Sequence, residues 1–148
     1  MSFQTDLAYG EEKELLVLEK LHHKYPKAYK VEGYHKEWDI FIPEKDMGVE
    51  VKSDRMSRKT GNVAIEYSYG GEPSGIEATK AEWWVYITED KLYWIKSKRI
   101  KDCIKENKLK PIEFPPINGD YRGKFLYLIK ETLFKNYTTI TERINGRN

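Results

Sequence analysis

Two short apolar runs, Trp38-Asp39-Ile40-Phe41-Ile42-Pro43 and Gly48-Val49-Glu50-Val51-Lys52, flank the polar turn Glu44-Lys45-Asp46-Met47. No other feature constrains the chain as much, because it predicts a β-hairpin of partly buried strands. Asp39, Glu50 and Lys52 interrupt the apolar runs with charge. Side chains alternate along a strand, so Glu50 and Lys52 share a face. A turn centred on Lys45 and Asp46 pairs Glu44 with Met47, Phe41 with Glu50 and Asp39 with Lys52, and all three charges then converge. A slip of one residue would send Asp39 to the opposite side.

Charges on an otherwise apolar hairpin are costly unless they are paired or bound to a metal. Two readings fit the spacing. In one, Lys52 bridges the two acids at a sheet edge. In the other, Asp39 and Glu50 are hard-oxygen ligands for Mg²⁺, aided by the Val51 carbonyl, with Lys52 beside the reacting group.

Asp39 followed by Glu50-Val51-Lys52, each within apolar strand residues, resembles the active-site signature of the PD-(D/E)xK nuclease superfamily, which includes restriction enzymes, Holliday-junction resolvases and viral exonucleases. Trp38 stands where that superfamily usually has Pro. The resemblance spans roughly residues 10–105 and implies an α/β fold with a restriction-endonuclease-like core, a mixed β-sheet flanked by α-helices. It also implies a nuclease that hydrolyses DNA phosphodiesters with Mg²⁺, Mn²⁺ substituting.

At 148 residues, 39% hydrophobic and 34% charged, the chain has the size and composition of one soluble domain covering 1–148. No apolar run reaches the length that spans a bilayer, so no membrane partner is expected. The start, Met1 to Asp6, lacks the basic and apolar stretches of a secretory signal. Cys103 is the single cysteine, which excludes an internal disulfide and points to a reducing, cytoplasmic setting, in a host cell if the gene is a phage's. A formal charge of +2 is too small to argue for nucleic acid by itself.

Leu15, Val17, Leu18 and Leu21 recur at helical spacing, predicting a helix over 11–25 that ends before Pro26. Asp6 offers an earlier start, against the weakening effect of Gly10. Glu14 falls on the apolar stripe, where it is either an acid at the stripe's margin or a site residue. Many members of the resembled superfamily carry a helix whose Glu reaches the metal, which implies that role for Glu14, toward a second ion or a metal-bound water. Glu11 is the substitute. His22 and His23 read as solvated residues of the last turn.

Residues 29–34 form a candidate first strand. Residues 53–61 are polar, and Arg55, Arg58 and Lys59 there are either solvated or placed to hold a nucleic-acid backbone. Strand character returns over 62–67, with Glu66 joining the acids if this strand lies next to 48–52. Ser74-Gly75-Ile76 with Thr79-Lys80-Ala81 resembles a segment of phage-type members of the superfamily. It reads as a short helical turn in which the Ser74 and Gly75 amides, and Lys80, are candidate phosphate contacts.

Trp83 to Thr88 reads as a central strand, with Trp83 and Trp84 in the core, and 91–95 as its hairpin partner. A helix capped by Ser97 follows, with Ile100, Cys103 and Ile104 inward. Residues 108–123 read as a loop, 125–129 as a late strand and 134–144 as a short final element. Two functions of different class emerge: the DNA-cutting nuclease, possessing Glu14, Asp39, Glu50 and Lys52 together, and a non-catalytic DNA-binding or assembly module that keeps the fold. Cutting two strands needs two sites, so a homodimer is an expectation of the first, although no self-complementary patch is legible.

Overall fold

The computed structural model describes residues 3–33, 36–54, 60–114 and 123–144. Helix α1 (Phe3–His22) is followed by β1 (Tyr29–Lys30), β2 (Ile40–Ile42) and β3 (Met47–Ser53). Then come β4 (Asn62–Tyr69), β5 (Glu72–Pro73), a 3-10 turn (Gly75–Glu77), β6 (Trp83–Ile87) and β7 (Lys91–Lys96). The chain continues with α2 (Ser97–Glu106), β8 (Ile112–Phe114), β9 (Lys124–Lys130), α3 (Glu131–Phe134), a second 3-10 turn (Lys135–Tyr137) and β10 (Ile140–Arg143).

Two sheets result. The larger runs β1-β2-β3-β6-β7-β10 and is mixed, because β3 and β6 are parallel while its other pairs are antiparallel. Parallel neighbours require a long crossover. Here the crossover contains β4, β5 and the 3-10 turn, and β4 founds a second, antiparallel sheet ordered β5-β4-β9-β8. The α/β class with a restriction-endonuclease-like mixed sheet holds, and among the described residues that sheet has six strands.

Strand alternation divides the core. Val49, Val85, Ile87 and Leu92 face α1, where Val17 and Leu21 cover them. Trp84, Tyr86, Tyr93 and Ile95 face the other way, onto Val63, Ile65 and Ile129 of the second sheet and onto Ile76, Ile100, Cys103 and Phe134. As expected, Trp84 is core and β6 is central. Glu50 and Lys52 also point to this second face, because they alternate with Val49 and Val51.

Several local expectations need correction. The hairpin pairs Ile42 with Met47, Phe41 with Gly48 and Ile40 with Val49, two residues away from the predicted register. Pro43 has no N–H for the ladder, so the strand stops at Ile42. Residues 43–46 form the turn, with Lys45 N donating to Ile42 O at 3.1 Å and Asp46 at φ 51°. An even shift preserves the faces.

Helix α1 begins before residue 11 and passes through Gly10, whose cost of about 1 kcal/mol does not break it. Leu15 lies exposed rather than on the buried stripe. His22 is exposed in the last turn, as expected, and also donates from Nε2 to Ala28 O at 2.7 Å, closing the helix end. Ser97 is the first residue of α2 rather than its cap, and its amide donates to Glu82 O at 3.0 Å. Strand β8 occupies part of the predicted 108–123 loop, pairing with β9. Strand β4 lies in the second sheet rather than beside β3, so the condition for Glu66 to join the acids is not met.

Candidate active site

Asp39 sits where β2 gives way to a bend, and three contacts fix it there. Its amide donates to Val49 O at 3.0 Å. Its carboxylate Oδ2 accepts the Val51 N–H at 2.8 Å. Its Oδ1 lies 3.0 Å from Lys36 Nζ. The Glu50 carboxyl hydrogen-bonds to the same carboxylate, and Lys52 Nζ lies 3.7 Å from Glu50 Oε2. Because N–H and C=O of one strand residue leave on the same side, the Val51 carbonyl also faces the Asp39 side.

Glu14 arrives from α1. Its Oε1 is 3.4 Å from Lys36 Nζ and its Oε2 is 3.9 Å from Lys30 Nζ. Glu11, the substitute, is exposed one turn earlier. The hairpin and helix therefore bring together Glu14, Asp39, Glu50 and Lys52, named from sequence, and two residues that were not named, Lys36 and Lys30. The i,i+3 spacing of Lys36 and Asp39 is the sequence signal that could have found the former.

The protonation pattern follows from crowding. Burial pushes the Glu50 carboxyl up to about 8, against the pull of Lys52, and the neighbouring Asp39 adds to the rise. Burial raises Glu14 as well, with the Asp39 charge in support. Burial opposes ionisation of Asp39 too, but its hydrogen bonds from Glu50, Val51 N–H and Lys36 outweigh it and hold Asp39 below its ordinary value. One proton is thus retained on Glu50 while Asp39 stays charged.

Glu50 lines one cavity and Lys52 another. One of about 300 Å³ is lined by Lys36, Glu50, Gly75, Thr79 and Lys80, and one of about 420 Å³ by Lys52, Asp54, Tyr86, Phe114 and Lys124. Glu50 and Lys52 are two residues apart on one strand face. A further cavity, of about 610 Å³, lies on the α1 side of the sheet among Leu21, Trp83 and Trp94, away from Asp39 and Glu50. Its volume measures the part of that face left uncovered by α1.

Lys80 lines the 300 Å³ cavity and pairs with Glu37 at 3.8 Å. Ser74 differs from expectation: its amide donates to Tyr67 O at 2.9 Å, and its Oγ is buried without a hydrogen-bond partner. Gly75 forms the expected helical turn, at φ 51° and so close to Glu66 O that a Cβ would lie 2.0 Å away. Arg55, Arg58 and Lys59 lie outside the described residues.

Among the described residues no three Asp, Glu, His or Cys side chains form a ready metal cage. The donor set nevertheless fits Mg²⁺, which is ordinarily held by one or two carboxylates with water and phosphate oxygens in its other positions. Two carboxyls close enough to share a proton are what a divalent cation would allow to ionise together.

A mixed sheet with an acid pair and a lysine at the edge of its β2–β3 hairpin is the arrangement of a restriction-endonuclease-like protein. The family model of the ScaI restriction endonuclease matches residues 7–118, and the chain belongs to that family. Neither a curated protein nor a solved structure matches it. Among the described residues, no helix is long and apolar enough to cross a membrane.

Proposed function

We propose that the chain is a metal-dependent deoxyribonuclease that hydrolyses phosphodiester bonds, with Asp39 and Glu50 holding Mg²⁺, or Mn²⁺ in its place, and Val51 lending its carbonyl. Membership of a restriction endonuclease family supports DNA as the polymer. The observation that carries the reading is the hydrogen-bonded pair Asp39 and Glu50, with Lys52 3.7 Å from Glu50 and each of those last two lining a cavity. When bound, the ion supplies an acidified water and neutralises charge on the phosphoryl oxygens.

The chain's own groups do the rest. Lys52, half exposed on the strand face, orients the attacking water or stabilises the charge that accumulates at phosphorus. Glu50 would hold the ion as a carboxylate, its proton having passed to solvent, and Asp39 keeps its orientation through Val51 N–H. Lys80 on one side and Lys124 on the other are placed to meet phosphates of a strand lying across β3. Arg55, Arg58 and Lys59 extend that role in the reading, as do a homodimer for cutting both strands and a phage or prophage source.

Incubating the protein with plasmid and branched DNA in Mg²⁺, Mn²⁺ or EDTA tests the proposal. Cleavage that needs the metal is the expected result. No cleavage of any substrate with either metal would favour the non-catalytic DNA-binding module, in which Lys52 and Lys36 serve as counter-ions alone.

A further inference from the structure

The Lys36 ammonium lies between carboxylate oxygens from two different elements, 3.4 Å from Glu14 Oε1 and 3.0 Å from Asp39 Oδ1. Glu14 is the acid that the resemblance nominates for a second metal ion or its water, and Asp39 is a nominated ligand of the first. We propose that Lys36 is the resident cation of the second position, so that the site takes a single divalent ion at Asp39 and Glu50, the Glu14 side being filled by the protein itself. The inference rests on the metal-dependent reading above.

Attachment is the first argument. Lys36 lies two residues before Trp38, whose ring stacks on Phe41 at 5.3 Å between centroids and 21° between planes, and which also covers Gly48. Asp39, three residues on, is held by its amide on Val49 O. The ammonium therefore springs from a pinned stretch of chain, and its partners sit on the sheet edge and on α1.

Spacing is the second. Mg²⁺ needs oxygens at about 2.0–2.1 Å. An ammonium already bridging Glu14 Oε1 and Asp39 Oδ1 occupies the approach to both. The remaining oxygen of Asp39 faces Val51 N–H, on the Glu50 side, which leaves that side for an ion.

Charge balance is the third. Glu14, Asp39 and Glu50 carry three negative charges when ionised, and Lys30, Lys36 and Lys52 carry three positive ones. Adding one divalent ion and one phosphodiester leaves a single excess positive charge. A second divalent ion would raise the excess by two more in a partly buried site.

Lys36 is thus a positioning residue, and metal stoichiometry reads its role where a purely structural role would leave no mark. Mn²⁺ titration of the full chain, followed by the resonance of free Mn²⁺, should give one ion for the native protein and for Lys36→Arg. Lys36→Met should bind two, and Lys36→Met with Glu14→Gln should return to one. Two ions on the native protein would overturn the proposal, since the ammonium would then give way to metal. One ion on folded Lys36→Met would overturn it as well, because the position would not be a cation site. The native stoichiometry keeps the proposal exposed if Lys36→Met fails to fold. No ion on any variant would sink the metal-dependent reading itself, an outcome distinct from the other two.

Discussion

Trp38 lies flat over Gly48, so close that a Cβ at position 48 would come within 2.3 Å of the indole. The contact joins the stretch carrying Lys36 and Asp39 to the strand carrying Glu50 and Lys52. Gly48→Ala should therefore push the indole off the sheet, at an overpacking cost of about 1–3 kcal/mol. Its effect on cleavage should exceed what the lost stability explains, because Asp39 moves with Trp38. Urea denaturation and initial cleavage rates check this. In a Trp38→Ala background the same Gly48→Ala change should cost much less, a coupling that a double-mutant cycle measures.

Asp39→Asn and Glu50→Gln each remove one carboxylate from the hydrogen-bonded pair. Cleavage should fall by at least about 100-fold, in the range seen when a charge-stabilising group is removed from a transition state. DNA binding should persist or tighten, since the acids repel the phosphates. Gel-shift assays in EDTA, run beside cleavage in Mg²⁺, separate the two effects. Cleavage at the native rate in either variant would remove the acid from the site.

The Glu50 carboxyl titrates at about 8 in the folded chain against an ordinary 4.5. Between these values the folded state holds a proton that the unfolded state has released, so metal-free stability should fall as pH rises through the window. Glu14, also raised, acts in the same direction. Asp39, lowered, contributes stability at higher pH and loses it only below its ordinary 3.8. Metal binding expels the Glu50 proton, so affinity for Mn²⁺ should climb over the same window. Denaturation in EDTA at several pH values, native against Glu50→Gln, is the measurement, and a flat profile for the native chain would contradict the assignment.

The hairpin and its charges were legible because alternation has period two and forgives an even error of register. Pro43 held the information needed to place the turn one residue earlier, since a residue without an N–H ends a ladder. The central strand over Trp83 to Ile87 was legible from its unbroken apolar run. The second sheet was not. Its strands β4 and β9 pair residues far apart in the chain, from Asn62 with Lys130 to Tyr69 with Lys124, and no local pattern encodes such a partner. Lys36 was harder to find for a related reason: its partner Glu14 is on α1, 22 positions away, and among 26 Lys and Arg its one local mark is the i,i+3 spacing to Asp39.

Tyr86 joins the two sheets beside the site. Its buried hydroxyl donates to Asp54 Oδ2 at 2.8 Å and accepts the Ala64 N–H at 3.0 Å, tying the end of β3 to β4. Tyr86→Phe leaves both groups short of a partner, which should cost about 1–3 kcal/mol. Because Tyr86 and Asp54 line the same cavity as Lys52, the variant should also raise KM for DNA several-fold while kcat stays near native, the acids being untouched. Tyr93→Phe is the control. It removes a comparable bond, from the Tyr93 hydroxyl to Glu131, that touches neither site cavity. It should lower stability by a similar amount and leave KM alone. Equal kinetic effects in the two variants would mean that the joint at Tyr86 holds the fold together without shaping the cleft.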